Sequence, residues 1–292
     1  MQLTIATRDS DLALWQANYV KRLLEEHHLQ CKLLPIKTDA DKHLLPLHDL
    51  GGKGLFVKSI QNAVLAGKAD IAVHSAKDLP CKTVEGLVLA AVPKRGYVED
   101  VLIADKKLTE LPINSQVATG SPRRKMQLLH LNPNIEVVAI RGNIVTRIAK
   151  WRQGEVAGVV LAKAGLARLK MLKSCVQEFT ISEILPAAGQ GCLAVECLSS
   201  NLELQNILQS IDHKLSHEQL IAERSCLEHL GGHCFAPIAA FANFVDGKLH
   251  LTAKVGRRKI IEAALAADNA YVLGQMVADD LNKQGAQELI ND

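Results

Sequence analysis

The chain has 292 residues, enough for two or three domains. Hydrophobic residues make up 48%, charged residues 22%, and the net charge is +3, an ordinary globular balance. Aromatics at only 3% argue against a nucleic-acid binder that stacks bases, and no apolar run reaches the ~20 residues of a membrane span.

Residues 2–7 read as a strand and 11–26 as a helix with Leu12, Trp15, Tyr19 and Leu23 on one stripe. A strand at 31–36 follows, then Gly51-Gly-Lys-Gly54 opens a helix over 55–65, and 70–74 and 87–92 are strands. A second series begins near 97. Strands at 116–119, 135–140 and 158–162 alternate with helices after Pro122 and over 144–152. Pro186-Ala-Ala-Gly-Gln-Gly191 reads as a crossing or hinge before a strand at 193–197. The last part differs: a helix at 217–230, a hairpin around Asp246-Gly247, a strand at 258–264 and a helix at 271–284. The pattern predicts two α/β lobes and a small C-terminal α+β domain. The seven cysteines are odd in number and scattered. With no signal peptide in view, they suggest free thiols in a reducing cytoplasm.

Charge is unevenly spread. Residues 121–170 hold ten Lys/Arg against Glu136 and Glu155, a basic region that calls for an anionic partner. Several of its arginines follow strand ends, where α/β sheets bind ligands. Arg8 and Ser10 follow the first strand, although Asp9 or Ser10 in that position is also an ordinary helix cap. Ser75, Lys77 and Asp78 follow another strand; the carboxylate there is either a solvated surface partner of the lysine or a proton-transfer group. Thr119 and Ser121 precede Arg123 and Arg124, which suit carboxylates by paired hydrogen bonds. Arg141, Arg147 and Arg168 extend the set. In Cys226-Leu-Glu-His-Leu-Gly-Gly-His-Cys234, three readings stand side by side: a metal site, an inert buried cysteine, or a nucleophilic thiol on a loop.

In order and spacing, these segments resemble porphobilinogen deaminases over nearly the whole chain. The strings that carry the resemblance include Ile5-Ala-Thr-Arg8, Ala13-Leu-Trp-Gln16, His74-Ser-Ala-Lys-Asp78, Arg123-Arg124, Arg141-Gly-Asn143, Leu185-Pro-Ala-Ala-Gly-Gln-Gly191, Ala222-Glu-Arg224 and Gly232-His-Cys-Phe-Ala-Pro237. The resemblance implies a transferase that deaminates four porphobilinogen molecules and joins them head to tail into hydroxymethylbilane. It implies a dipyrromethane cofactor held by a thioether at Cys234. Asp78 would be the catalytic carboxylate. Ser75, Lys77, Asp78, Thr119, Ser121, Arg123 and Arg124 would bind the cofactor. Arg8, Ser10, Arg141, Arg147 and Arg168 would contact porphobilinogen and the growing oligopyrrole, whose acetates and propionates need many cations.

The implied fold is two lobes like those of periplasmic binding proteins, with the cleft between them. Lobe one would span 1–94 and regain about 192–210, lobe two would span 95–191, and 213–292 would carry the cofactor. A cytoplasmic monomer with no metal, nucleic-acid or membrane partner is expected. A non-catalytic binder of polycarboxylates on the same scaffold is the alternative. The sequence departs from the family pattern at His233, Gly120, Pro122 and Val145.

Overall fold

A computed structural model describes residues 2–37, 55–232 and 236–291. In chain order the elements are β1 (Gln2–Arg8), α1 (Asp11–Glu26), β2 (Gln30–Ile36), α2 (Leu55–Leu65), β3 (Ile71–Ser75), β4 (Leu87–Ala91), β5 (Asp100–Ala104), β6 (Gln116–Ala118), α3 (Pro122–Leu131), β7 (Glu136–Val138), α4 (Ile144–Arg152), β8 (Gly158–Ala162), α5 (Lys163–Arg168) and β9 (Gln177–Glu178). The remainder comprises β10 (Leu193–Leu198), α6 (Leu202–Leu208), α7 (Lys214–His229), β11 (Ile238–Val245), β12 (Lys248–Gly256), β13 (Ile260–Ala267), α8 (Ala270–Lys283) and α9 (Ala286–Asn291). Two compact units emerge, residues 1–96 with 191–220, and residues 97–190 with 221–292.

The first unit holds a five-stranded sheet in the order β2-β1-β3-β10-β4. β1 runs parallel to β2 and β3, while β10 is antiparallel to β3 and β4. Both faces are covered, which is why the inner strands β3 and β10 are buried along nearly their whole length rather than alternating. Leu3, Ile5, Val73 and Val195 pack on α1 and α6 through Ala17, Val20, Leu24, Leu204 and Leu208. Ala6 and Ala72 face α2 through Ile60, Ala63 and Val64. The buried face of α1 is Gln16, Ala17, Val20 and Leu24. That face is turned about one residue from the predicted stripe. Small and β-branched side chains fit the close helix–sheet approach, while Trp15 and Tyr19 stay half-buried, with stacked rings at 5.5 Å.

The second unit contains a sheet in the order β7-β6-β8-β5-β9. β6 is parallel to β7 and β8, and β5 is antiparallel to β8 and β9. Leu102, Val117 and Val160 pack on α3 through Leu128; Val101, Ile103 and Val159 pack on α4 and α5 through Ile148 and Leu166. The same unit holds the antiparallel meander β11-β12-β13, whose buried face meets α7 and α8. Those helices cross closely at Gly274, where a Cβ would lie 2.5 Å from the Ala222 carbonyl oxygen and 2.7 Å from the Cys226 nitrogen. Buried Glu223 ties the segment before β10 to the meander: its two oxygens accept from Gly189 N–H at 2.7 Å and Ala242 N–H at 2.8 Å. Among the described residues, no helix is long and apolar enough to cross a membrane.

Candidate active site

One cluster forms where β1 and β3 end. The two strands are parallel, with Ile5 opposite Ile71, so their carboxyl ends open on one side of the sheet. Arg8, Ser10, Gln16, His74, Ser75 and Asp78 line a pocket of about 60 Å³ there. Ser10 serves two ends at once. It caps α1, its hydroxyl accepting from Ala13 N–H at 3.4 Å, and it faces the pocket. After β3 the chain makes a single 3₁₀ turn, Ala76–Asp78. This leaves Lys77 half-buried and Asp78 exposed. Gln16, absent from the predicted set, is buried and donates from Nε2 to Ser75 Oγ at 2.7 Å. In the sequence it is a polar residue on an amphipathic helix and the last residue of the Ala13-Leu-Trp-Gln16 string, with no role implied by either.

A second cluster forms after β6. Thr119 Oγ1 accepts from Ser121 N–H at 3.2 Å, and Ser121 Oγ caps α3 by accepting from Arg124 N–H at 3.4 Å. Pro122 occupies the first helical turn, where its missing N–H costs nothing. Arg123 and Arg124 are buried, at 3% and 6% exposure. They meet a carboxylate of the protein itself. Arg123 Nη2 donates to Asp100 Oδ2 at 2.7 Å, and Arg124 Nη2 and Nε donate to Oδ1 at 2.7 and 3.1 Å. Arg123 Nη1 also reaches the Leu185 carbonyl at 2.7 Å, and Arg124 Nη1 the Val160 carbonyl at 3.0 Å. Gln190 Nε2 adds a bond to Asp100 Oδ1 at 3.1 Å.

Burial alone would raise the Asp100 pKa, but Arg123 and Arg124 outweigh it and hold the carboxyl well below its usual range. The stability this group contributes is fully present above the unfolded carboxyl's pKa of about 4 and drains as pH falls toward the lower folded value. Asp100→Asn leaves two buried guanidiniums against a neutral amide. It is expected to cost about 3–5 kcal/mol of unfolding free energy and to flatten the acid limb of stability against pH. Denaturant titrations at pH 7 and pH 3 read both effects; an unchanged midpoint at pH 7 contradicts the pairing.

Gly142 takes φ +107°, and a Cβ there would sit 2.7 Å from the Thr146 Cβ. That turn lets Asn143 cap α4, its side-chain oxygen accepting from Thr146 N–H at 2.9 Å. Arg147 Nε donates back to the Gly142 carbonyl at 2.8 Å. Arg147 has a lowered pKa, from burial first and then from Arg124. Arg141 is exposed beside the turn, and Arg168 is half-buried at the end of α5. Within this unit Arg123 and Arg124 converge on the carboxylate of Asp100, and Arg147 lies near enough to Arg124 to feel its charge. The surplus is positive.

A family model described as "Porphobilinogen deaminase, dipyromethane cofactor binding domain" matches residues 3–206, and one described as "Porphobilinogen deaminase, C-terminal domain" matches residues 217–283. The chain belongs to the porphobilinogen deaminase family. A porphobilinogen deaminase of Coxiella burnetii (strain Dugway 5J108-111) is 41% identical over 298 residues, covering 99% of this chain and 97% of the relative. One of Chloroherpeton thalassium is 39% identical over 302 residues, covering 99% and 96%. Among solved structures, the Bordetella pertussis BvgS periplasmic VFT2 domain aligns with a TM-score of 0.43 at 15% identity, over 77% of this chain and 92% of that one. That likeness is too distant to speak for function.

The residues present fit the family's dipyrromethane, a polycarboxylate. Three arginines outnumber Asp100 in the second cluster, and Arg123 Nε is a buried donor with no hydrogen-bond partner among the described residues. The Gly51-Gly-Lys-Gly54 segment, His233 and Cys234 lie outside the described residues. Cys226 lies within them and is a poor nucleophile. Burial, and secondarily Glu223, push its thiol up to about 12. Its helix neighbour His229 lies 3.4 Å from Asp279. Cys226→Ala is expected to leave cofactor attachment at one per chain by intact mass; an unmodified variant would contradict this.

Proposed function

We propose that this chain is a hydroxymethylbilane synthase, removing ammonia from four porphobilinogen molecules and joining them head to tail into a linear tetrapyrrole. Membership of the deaminase family across both matched regions carries this reading. Dipyrromethane, attached through a thioether to Cys234, would supply the pyrrole end on which the chain grows. By the family resemblance, Ser75, Lys77, Thr119, Ser121, Arg123 and Arg124 would hold its carboxylates, and Asp78 would accept from its pyrrole N–H groups. Residues 213–292 form the attachment domain.

The remaining work falls to side chains of this chain. Arg8 and Ser10 sit in one pocket with Asp78, so a carboxylate bound by the arginine places its pyrrole ring near that acid. Asp78 accepts hydrogen bonds from pyrrole N–H groups and stabilises the cation left when the substrate's C–N bond breaks. Arg141, Arg147 and Arg168 extend the positive surface for each added acetate and propionate. The free thiols Cys31, Cys175, Cys197 and Cys226 agree with work in a reducing cytoplasm, and the family pattern with a monomer.

The purified chain given porphobilinogen should release one ammonia per molecule consumed and yield a linear tetrapyrrole that closes to uroporphyrinogen. Saturable binding without consumption would instead support the polycarboxylate binder.

A further inference from the structure

β10 carries one acid in an apolar run, Leu193-Ala-Val-Glu-Cys-Leu198. Glu196 is buried, opposite Ala72 of β3. Gln61 Nε2, from α2, lies 3.1 and 2.9 Å from its two oxygens, and His74 Nε2 lies 3.1 Å from Oε2. All three side chains are buried. Such a set gains little stability over apolar side chains of the same volume, so stability alone does not account for it. Its effect is to fix a place.

That place is the end of β3. His74 meets Glu196 on the α2 face of the sheet. Ser75, on the opposite face, is held by Gln16 of α1 at 2.7 Å. Ala76 N–H donates to the Cys192 carbonyl at 3.1 Å. Residues 75 and 76 are thus each hydrogen-bonded from outside β3, and His74 lies at ion-pair distance from Glu196 without hydrogen-bond geometry, immediately before the turn that presents Asp78.

We propose that Glu196 is a positioning residue for the reaction: through His74 it holds the Ser75–Asp78 turn in its working geometry. This rests on the reading that Asp78 is catalytic. Glu196 touches no substrate; it acts through the backbone that carries the acid, where small displacements cost rate. An amide at 196 keeps the volume but offers one acceptor oxygen and sets an NH₂ against a donor.

The test is steady-state kinetics on E196Q, H74Q and the double variant, with rates expressed per cofactor-bearing molecule counted by intact mass. Each single variant should lose about tenfold in kcat with KM within about threefold of wild type. The double variant should be about as slow as the slower single, because the two residues act through one contact. If E196Q does not fold, H74Q tests the same contact by the same measure. A kcat within about twofold of wild type in both single variants overturns the proposal. Losses that multiply in the double variant, or that appear only in KM, overturn it too. Full turnover by D78A would remove the assignment of Asp78, and this proposal with it. A wild type inert to porphobilinogen would instead refute the deaminase reading itself.

Discussion

Cys234→Ser is expected to abolish porphobilinogen consumption, by at least about 1,000-fold, and to leave the purified protein at its unmodified mass. A thiolate is a far better nucleophile than a serine hydroxyl at neutral pH. Two other thiols are poorly suited to substitute. Cys226 is raised to about 12 and Cys197 to about 11, both chiefly by burial. The chain on either side of Cys234 is buried at Leu230 and Ala236, at 0% and 4% exposure. A serine variant that carries the cofactor or turns over normally contradicts the assignment.

Asp78→Ala is expected to lower kcat by roughly 100- to 10,000-fold while the protein stays folded. Asp78 is exposed, so its removal should change stability by no more than about 0.5 kcal/mol. The pairing of a large kinetic loss with an unmoved unfolding midpoint is the signature. Asp78→Glu should recover part of the rate, since it keeps the charge and displaces it by one methylene. Normal turnover by the alanine variant would pass the role to another group.

The elements with strong periodicity were legible in the sequence. Residues 11–26, 55–65 and 144–152 were predicted as helices, and Asp11–Glu26, Leu55–Leu65 and Ile144–Arg152 are helical. β5 was not predicted. Its run, Asp100-Val-Leu-Ile-Ala104, is buried along its whole length and shows no alternation to distinguish a strand from any other apolar stretch. Missing β5 hid Asp100, and with it the partner of Arg123 and Arg124. Their residue types were visible, but their burial was not, because the carboxylate that permits it lies 23 and 24 residues upstream. Glu196 stayed hidden for a similar reason. An acid in an apolar run gains meaning only when the antiparallel register of β10 on β3 brings it to His74. The strand-end residues Arg8, Ser10, Ser75 and Asp78 were legible because parallel strands deliver their carboxyl ends to one side. α7 begins at Lys214, three residues before the hydrophobic pattern. Ser216 Oγ there lies 2.8 Å from His213 Nδ1, and His217 Nδ1 lies 2.8 Å from Asp212, contacts that no hydrophobic period announces.

Intact-protein mass spectrometry after brief exposure to limiting porphobilinogen tests the central claim most directly. Growth on a thiol-anchored primer requires a ladder of covalent enzyme species, each heavier by one porphobilinogen less ammonia, absent from the Cys234→Ser protein and cleared as tetrapyrrole is released. A wild-type protein that keeps one unmodified mass while porphobilinogen is present would contradict it.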